Sequence, residues 1–136
     1  MDAATNNAMT DPDFPEELRT FIRDCIPDVD AAELLLYLGQ TPQRTIPLSE
    51  LVAHVRSAEV MESAVRKYLA SFEHCGLVEQ SDSGYAFAPR SAQAEAMVRA
   101  LAKLYNERPV TLVRAIYSLR NERIRAFADA FKLKRP

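Results

Sequence analysis

The sequence predicts a mostly α-helical protein with one small β-hairpin. Two observations indicate this fold class: apolar residues recur with a helical period through most of the chain, and one short stretch after Gly76 changes to a period of about two. The length of 136 residues is that of one ordinary domain. With 48% hydrophobic and 26% charged residues, the composition excludes a disordered or collagen-like chain.

A polar leader and a first helix are predicted at the start of the chain. Residues 1–13 are small, polar and without periodicity, so we expect them to form a flexible leader. The helix that follows should begin near Pro15, since proline is favoured in a first helical turn, and should stop before Pro27. Its apolar face comprises Leu18, Phe21, Ile22 and Cys25.

Two more helices are predicted in the N-terminal half. The second covers residues 31–38, with Asp28 or Asp30 as its N-cap and Gly39 as its left-handed end. Because it is apolar on nearly every side, it should occupy the centre of the core. The third is short and covers residues 48–55.

The middle of the chain predicts a longer helix and then the hairpin. The helix runs over 60–74 and ends at Gly76, which suits a left-handed C-terminal position. Its predicted apolar stripe comprises Met61, Val65, Tyr68, Leu69 and Phe72. Strands at 77–80 and 85–88 follow, and residues 45–46 are predicted to form a short extended piece upstream. The turn between the two strands comprises Ser81, Asp82, Ser83 and Gly84.

Three amphipathic helical segments are predicted in the C-terminal third. They cover residues 91–106, a stretch from Pro109 through Tyr117, and residues 124–131. Their apolar stripes comprise Met97, Leu101, Leu104, Tyr105, Val113, Ile116, Tyr117, Ile124, Phe127, Ala128 and Phe131. Three stripes exceed what one small domain needs to cover its core. Residues 91–136 are therefore predicted to form a dimer interface or, alternatively, to close a monomeric core.

Charge is distributed unevenly along the chain. Residues 1–56 contain ten acidic and four basic side chains, whereas residues 91–136 contain four acidic and ten basic ones. This asymmetry is compatible with intramolecular pairing, with head-to-tail contact between subunits, or with a basic surface for an anionic partner. Ordinary solvated surface charge would also produce some of it.

The sequence shows no sign of catalytic or metal-binding chemistry. Cys25 and Cys75 are predicted to be free thiols in a reducing cytoplasm, because two cysteines without a CxxC spacing suggest neither a disulfide scaffold nor a metal site. The three glycines are isolated, so there is no Gly-rich phosphate-binding loop. We expect no enzyme activity, cofactor or metal. No stretch approaches the roughly 18 apolar residues of a membrane span, and a cytoplasmic protein without membrane contact is predicted.

Two stretches in the middle of the chain carry a family resemblance. One is Leu48-Ser49-Glu50-Leu51, at the start of the third predicted helix. The other lies within residues 65–78 and comprises Val65, Leu69, Phe72, Gly76, Leu77 and Val78. With the hairpin, they make residues 46–88 resemble the winged helix-turn-helix domain of bacterial transcription regulators, MarR-like in the broad sense. The resemblance covers about a third of the chain.

The resemblance implies a winged helix-turn-helix domain over residues 14–90, with additional N- and C-terminal helices. The helix at 60–74 would then enter the major groove of double-stranded DNA. Its predicted DNA-binding residues are Glu62, Ser63, Arg66 and Lys67, and the predicted wing tip comprises Ser81, Asp82, Ser83 and Gly84. We therefore expect a DNA-binding transcription regulator that acts as a homodimer, with residues 91–136 as the dimerisation or partner-docking region.

The alternative prediction is a winged-helix module that binds protein and not DNA. Where the family usually has Ser or Thr, this chain has Met61 followed by Glu62, and the wing tip carries Asp82 where a basic residue is usual. Residues 57–90 contain five acidic and three basic side chains, whereas a phosphate-binding surface is usually basic. In this alternative, the C-terminal helices dock on a protein partner.

Overall fold

A computed structural model describes residues 15–55 and 62–133 of the chain. The elements in order are α1 (Glu16–Cys25), α2 (Val29–Gln40), α3 (Leu48–His54), α4 (Glu62–His74), β1 (Val78–Ser81), β2 (Gly84–Phe87), α5 (Ala92–Glu107) and α6 (Pro109–Leu133). The predicted class, mostly α with a small hairpin, is confirmed. The predicted leader and Met61 lie outside the described residues.

α2 lies at the centre of the core, as predicted. Its buried residues are Ala31, Ala32, Leu34, Leu35 and Leu38. Asp28 is its N-cap, since one carboxylate oxygen accepts a hydrogen bond from the Ala31 backbone N–H at 3.0 Å. α4, α5 and β2 pack against α2, while α1 packs against both α5 and α6. Burying each large side chain in this cluster contributes about 1.5–3 kcal/mol.

Two of the predicted helix ends are absent from the structure. α2 does not end at Gly39 but continues through it to Gln40, because glycine adopts a right-handed helical backbone as readily as a left-handed one. The two predicted segments after Pro109 are one continuous helix, α6. The polar residues 120–123 interrupt the apolar pattern but contain no Gly or Pro, so the backbone helix is not interrupted.

The predicted apolar stripes of α5 and α6 are partly wrong. In α5 the buried residues are Val98, Leu101 and Leu104, whereas Tyr105 is 37% exposed and donates a hydrogen bond to Glu33 at 3.2 Å. In α6 the residues facing the core are Leu112, Ala115, Ile116 and Leu119. Tyr117 and Ile124 face solvent, because residues 15–55 and 62–108 cover only one side of α6.

The two strands form an antiparallel hairpin. We call its residues 78–87 the ribbon. Val78 pairs with Phe87 at one end and Ser81 with Gly84 at the other. Residue 46 extends this pairing: the Ile46 N–H donates to the Tyr85 carbonyl at 2.7 Å, and the Tyr85 N–H donates to the Ile46 carbonyl at 2.9 Å. The short extended piece predicted at 45–46 is thereby confirmed, and it ties the ribbon to the start of α3.

The prediction of two free thiols is wrong. Cys25 at the end of α1 and Cys75 just after α4 form a disulfide, with their Cα atoms 6.2 Å apart. The residues are 50 positions apart in the sequence, so no local spacing pattern could have indicated the pair. The same junction contains a hydrogen bond from the Ser71 hydroxyl to the Cys25 carbonyl at 3.2 Å. Together these contacts fix α4 to the end of α1.

We predict that Gly84→Ala destabilises the protein by about 1–3 kcal/mol, because a side chain there needs a strained backbone. Gly84 has φ of +143°, and a Cβ would overlap the Ile46 carbonyl group and lie 2.9 Å from the Pro47 Cα. Urea unfolding followed by circular dichroism measures the change.

Gly39→Ala is the matched control for this substitution. An added Cβ would lie 3.9 Å from a side-chain carbon of Val98, which is an ordinary van der Waals distance. Alanine is favoured over glycine within a helix by about 1 kcal/mol. We expect no loss of stability in the control. Equal stability of the Gly84→Ala variant and the unmodified protein would contradict the close contact between Gly84 and the backbone of Ile46 and Pro47.

Candidate nucleic-acid interface

The buried side of α4 determines which of its residues face solvent. Val65, Leu69 and Phe72 are fully buried, and Tyr68 is nearly so. These positions recur at the three- and four-residue spacing of one helix face, so the opposite side must point away from the core. The interior side of α4 was correctly predicted from the same periodicity.

The opposite side of α4 brings all four predicted DNA-binding residues together. We call it the outer face, and it comprises Glu62, Ser63, Arg66, Lys67 and Ala70, all of which are exposed. α3 packs against α4 without covering this face, and β1 packs against α4 as well. The outer face is therefore a polar, accessible ridge with a second helix and the ribbon as neighbours.

Two of the predicted contact residues pair with each other. The Arg66 guanidinium lies 3.0 Å from the Glu62 carboxylate, one helical turn away, and both side chains are 58% exposed. An exposed pair of this spacing contributes only about 0.3–0.5 kcal/mol to helix stability. Its larger effect is electrostatic: the carboxylate offsets the charge that Arg66 could offer to an anionic ligand.

A buried hydroxyl anchors α4 on the side away from its outer face. The Tyr68 hydroxyl donates to the Asp28 carboxylate at 2.7 Å, and this carboxylate also caps α2. Burial, and then the hydrogen bond to Asp28, raise the pKa of Tyr68, so the hydroxyl remains protonated and continues to donate. The orientation of α4 is thus fixed by a polar contact in addition to its apolar stripe.

A cluster around α3 was missed by the sequence analysis. The Glu50 carboxylate accepts hydrogen bonds from Arg44 at 2.6 and 2.8 Å and from the Tyr37 hydroxyl at 2.7 Å. Arg44, and then Tyr37, lower the pKa of Glu50. The His54 ring stacks on Tyr37 with their centroids 3.8 Å apart. These residues join α2 to both ends of α3, and their spacing along the chain follows no helical or strand period.

The tip of the ribbon contains the four predicted wing residues. Ser81, Asp82 and Ser83 are exposed, and the Ser83 N–H donates to the Ser81 hydroxyl at 3.3 Å. Gly84 is half-buried against the chain before α3. The tip can therefore present two hydroxyls and one carboxylate to a ligand, while Gly84 supplies the backbone conformation of the turn.

The uneven charge of the chain persists at the surface. An ion pair at 2.8 Å joins Arg19 of α1 to Glu122 of α6. Arg19 is a basic residue of the acidic segment 1–56, and Glu122 is an acidic residue of the basic segment 91–136. Because these two charges neutralise each other, the remaining side chains of each segment carry a larger net charge. On α6, Arg114, Arg120 and Arg125 are exposed.

Comparisons with known proteins give no relative of this chain. No protein-family model, curated protein or solved structure matches it. Within residues 15–55 and 62–133, no helix combines the length and the apolar character that a bilayer crossing requires. Function is therefore inferred from the surface of α4, the ribbon and α6.

We predict that Glu62→Gln increases affinity for duplex DNA about two- to fivefold at low salt, equivalent to the ~0.4–1 kcal/mol of an exposed charge interaction. The substitution removes a charge that phosphates repel and releases Arg66 from its partner. Fluorescence anisotropy of a labelled duplex measures the change.

Glu95→Gln is the matched control, because Glu95 forms the same kind of pair with Arg99 on α5, at 2.9 Å. It alters the net charge equally but lies on another helix. An equal gain in both variants would show that net charge, and not the outer face, governs binding.

Proposed function

We propose that this chain is a DNA-binding transcription regulator with a winged helix-turn-helix domain, acting as a homodimer. The observation that carries the proposal is the exposed outer face of α4, with Ser63, Arg66 and Lys67 beside the ribbon. The order of elements also supports it: α2, the extended residue Ile46, α3, α4 and the ribbon follow one another as in a winged domain.

In this proposal α4 lies in the major groove. A helix is about 10–12 Å across with its side chains, and the groove is about 12 Å wide. Arg66 has the planar fork that suits the O6 and N7 acceptors of guanine, whereas Lys67 suits a phosphate as a point charge. Ser63 and the ribbon hydroxyls of Ser81 and Ser83 would donate to the sugar–phosphate backbone in this proposal.

Dimerisation is part of the proposal because the outer face of one copy contains few basic side chains. Two copies related by two-fold symmetry would double the phosphate contacts and set the spacing between half-sites. α6 supplies the added basic charge, including the exposed Arg114 and Arg125. A regulator of this kind works at the chromosome, so we also propose a cytoplasmic location, although disulfides such as Cys25–Cys75 are rare in that reducing compartment.

The direct test is anisotropy of a labelled duplex titrated with the full chain at two salt concentrations. Binding should tighten at low salt, with a slope of about −0.9 per neutralised phosphate in a plot of log affinity against log salt. Arg66→Glu with Lys67→Glu should abolish binding, because the outer face then repels phosphates.

The matched control is Arg99→Glu with Lys103→Glu, which makes the same charge change at exposed positions of α5. This control should retain most of the affinity, and the two double variants should unfold at the same urea concentration as each other, because each loses one exposed ion pair worth about 0.3–0.5 kcal/mol. Absence of binding at low salt, even at ~100 μM protein, would refute the proposal, since nonspecific binding of DNA readers is usually tighter than this.

A second candidate function is a protein-interaction module that does not bind DNA. The Glu62–Arg66 ion pair favours it, as does the exposed carboxylate of Asp82 at the ribbon tip, because both weaken attraction to phosphates. In this case the outer face is solvated surface, and α6 is the functional element. The same titration separates the two functions, since this candidate predicts no duplex binding at any salt concentration.

A further inference from the structure

The Glu62–Arg66 ion pair on α4 has a geometry that leaves hydrogen-bonding groups of both side chains outside the pair. Arg66 Nε donates to Glu62 Oε2 at 3.0 Å, and Nη2 of the same guanidinium lies 3.0 Å from that same oxygen. These two contacts use one edge of the planar guanidinium. They do not use its terminal edge, which carries one hydrogen of Nη1 and one of Nη2, nor the other carboxylate oxygen, Oε1.

The pair as a unit therefore presents two adjacent donors followed by an acceptor. The terminal edge of Arg66 supplies the two donors, and Oε1 of Glu62 supplies the acceptor. Because the two head groups are in contact, these three groups lie close enough together to meet the edge of a single base pair. Both side chains are 58% exposed, so a ligand can approach them from solvent.

A guanine·cytosine pair shows the complementary pattern in the major groove. Across its edge lie two acceptors, guanine N7 and O6, and then a donor, the cytosine N4 amino group. An adenine·thymine pair shows an acceptor, a donor and an acceptor instead. Against the Glu62–Arg66 pair, each of the three other base-pair orientations would oppose like groups at two of the three positions.

The residues beside the pair allow α4 to approach a base pair closely. With about 3.6 residues per turn, Ser63 and Ala70 lie between Arg66 and Lys67 around the helix. All four are exposed, and the two in the middle have short side chains. The centre of the outer face is therefore shallow, and Arg66 and Lys67 extend past it on either side.

The carboxylate of Glu62 has opposite effects on affinity and on selectivity. Phosphates repel it, so it lowers the affinity for every duplex. The repulsion is greatest where the carboxylate meets an acceptor of a base and least where it accepts from the cytosine amino group. Its contact with Nε also orients the guanidinium before DNA binds, which reduces the ordering cost of the correct contact. A group that penalises the wrong partner more than the right one increases specificity.

We propose that the Glu62–Arg66 pair recognises one guanine·cytosine base pair in each half-site, with the terminal edge of Arg66 on guanine and Oε1 of Glu62 on the cytosine amino group. This inference rests on the proposed function, because it needs α4 in the major groove, and it adds the base preference of that surface. Glu62 is then a specificity-determining residue that lowers total affinity.

The test is selection of duplexes from a library with a random central sequence, using the full-length protein at low salt, followed by sequencing of the retained DNA. The unmodified protein should enrich a guanine·cytosine pair at one position of the half-site about tenfold or more over adenine·thymine, which is the discrimination of a good bidentate contact. Glu62→Gln should retain more DNA in total but lose most of this preference, because an amide also binds adenine.

Two further variants separate base recognition from charge. Glu95→Gln, the matched control, breaks the corresponding ion pair on α5 and should leave the base preference unchanged. Arg66→Lys keeps the charge but lacks the planar fork. It should therefore lose the preference, while the slope of log affinity against log salt stays the same. A purely structural role of the ion pair would leave the base preference unchanged in both Glu62→Gln and Arg66→Lys.

The amount of DNA retained and its sequence are separate readouts. Retained duplexes with no preferred base pair, a preference for another base pair, or a preference that survives Glu62→Gln would overturn this inference and leave the proposed DNA binding intact. Retention of no duplex at low salt would refute the proposed function and this inference together.

Discussion

The apolar stripe of α4 is the constraint on which the rest of the proposed interface depends. Val65, Leu69 and Phe72 are fully buried, and no rotation of α4 can keep them buried while turning its outer face inward. The Tyr68–Asp28 hydrogen bond fixes the same orientation from the polar side, because the carboxylate it uses also caps α2. The polar ridge is thus a consequence of core packing, and its chemistry can change without altering the fold.

The neighbours of that ridge are positioned by backbone geometry. Gly76 has φ of +75°, a left-handed conformation that ends α4 and turns the chain into β1. The paired hydrogen bonds between Ile46 and Tyr85 then attach the ribbon to the chain entering α3. Because Gly84 approaches Ile46 so closely, the ribbon, α3 and α4 are held in one arrangement.

Periodicity and turn chemistry predicted the structural features that depend on residues close together in the sequence. The stripe of α4, the left-handed Gly76 and the extended Ile46 all follow from local pattern. The Cys25–Cys75 disulfide joins residues 50 positions apart, and no pattern in one sequence reveals such a contact. The solvent-facing side of α6 was misjudged for a related reason: periodicity shows that a face is apolar, but it does not show whether the protein's own body covers it.

The central claim is that the outer face of α4 is a DNA-binding surface. It is tested most directly by the amide nitrogen–proton NMR spectrum of the labelled protein during titration with a duplex. If the outer face binds DNA, the largest shift changes occur at residues 62–67 and 81–84, with little change in the buried α2. Shift changes confined to residues 109–133, or none at low salt, would contradict it.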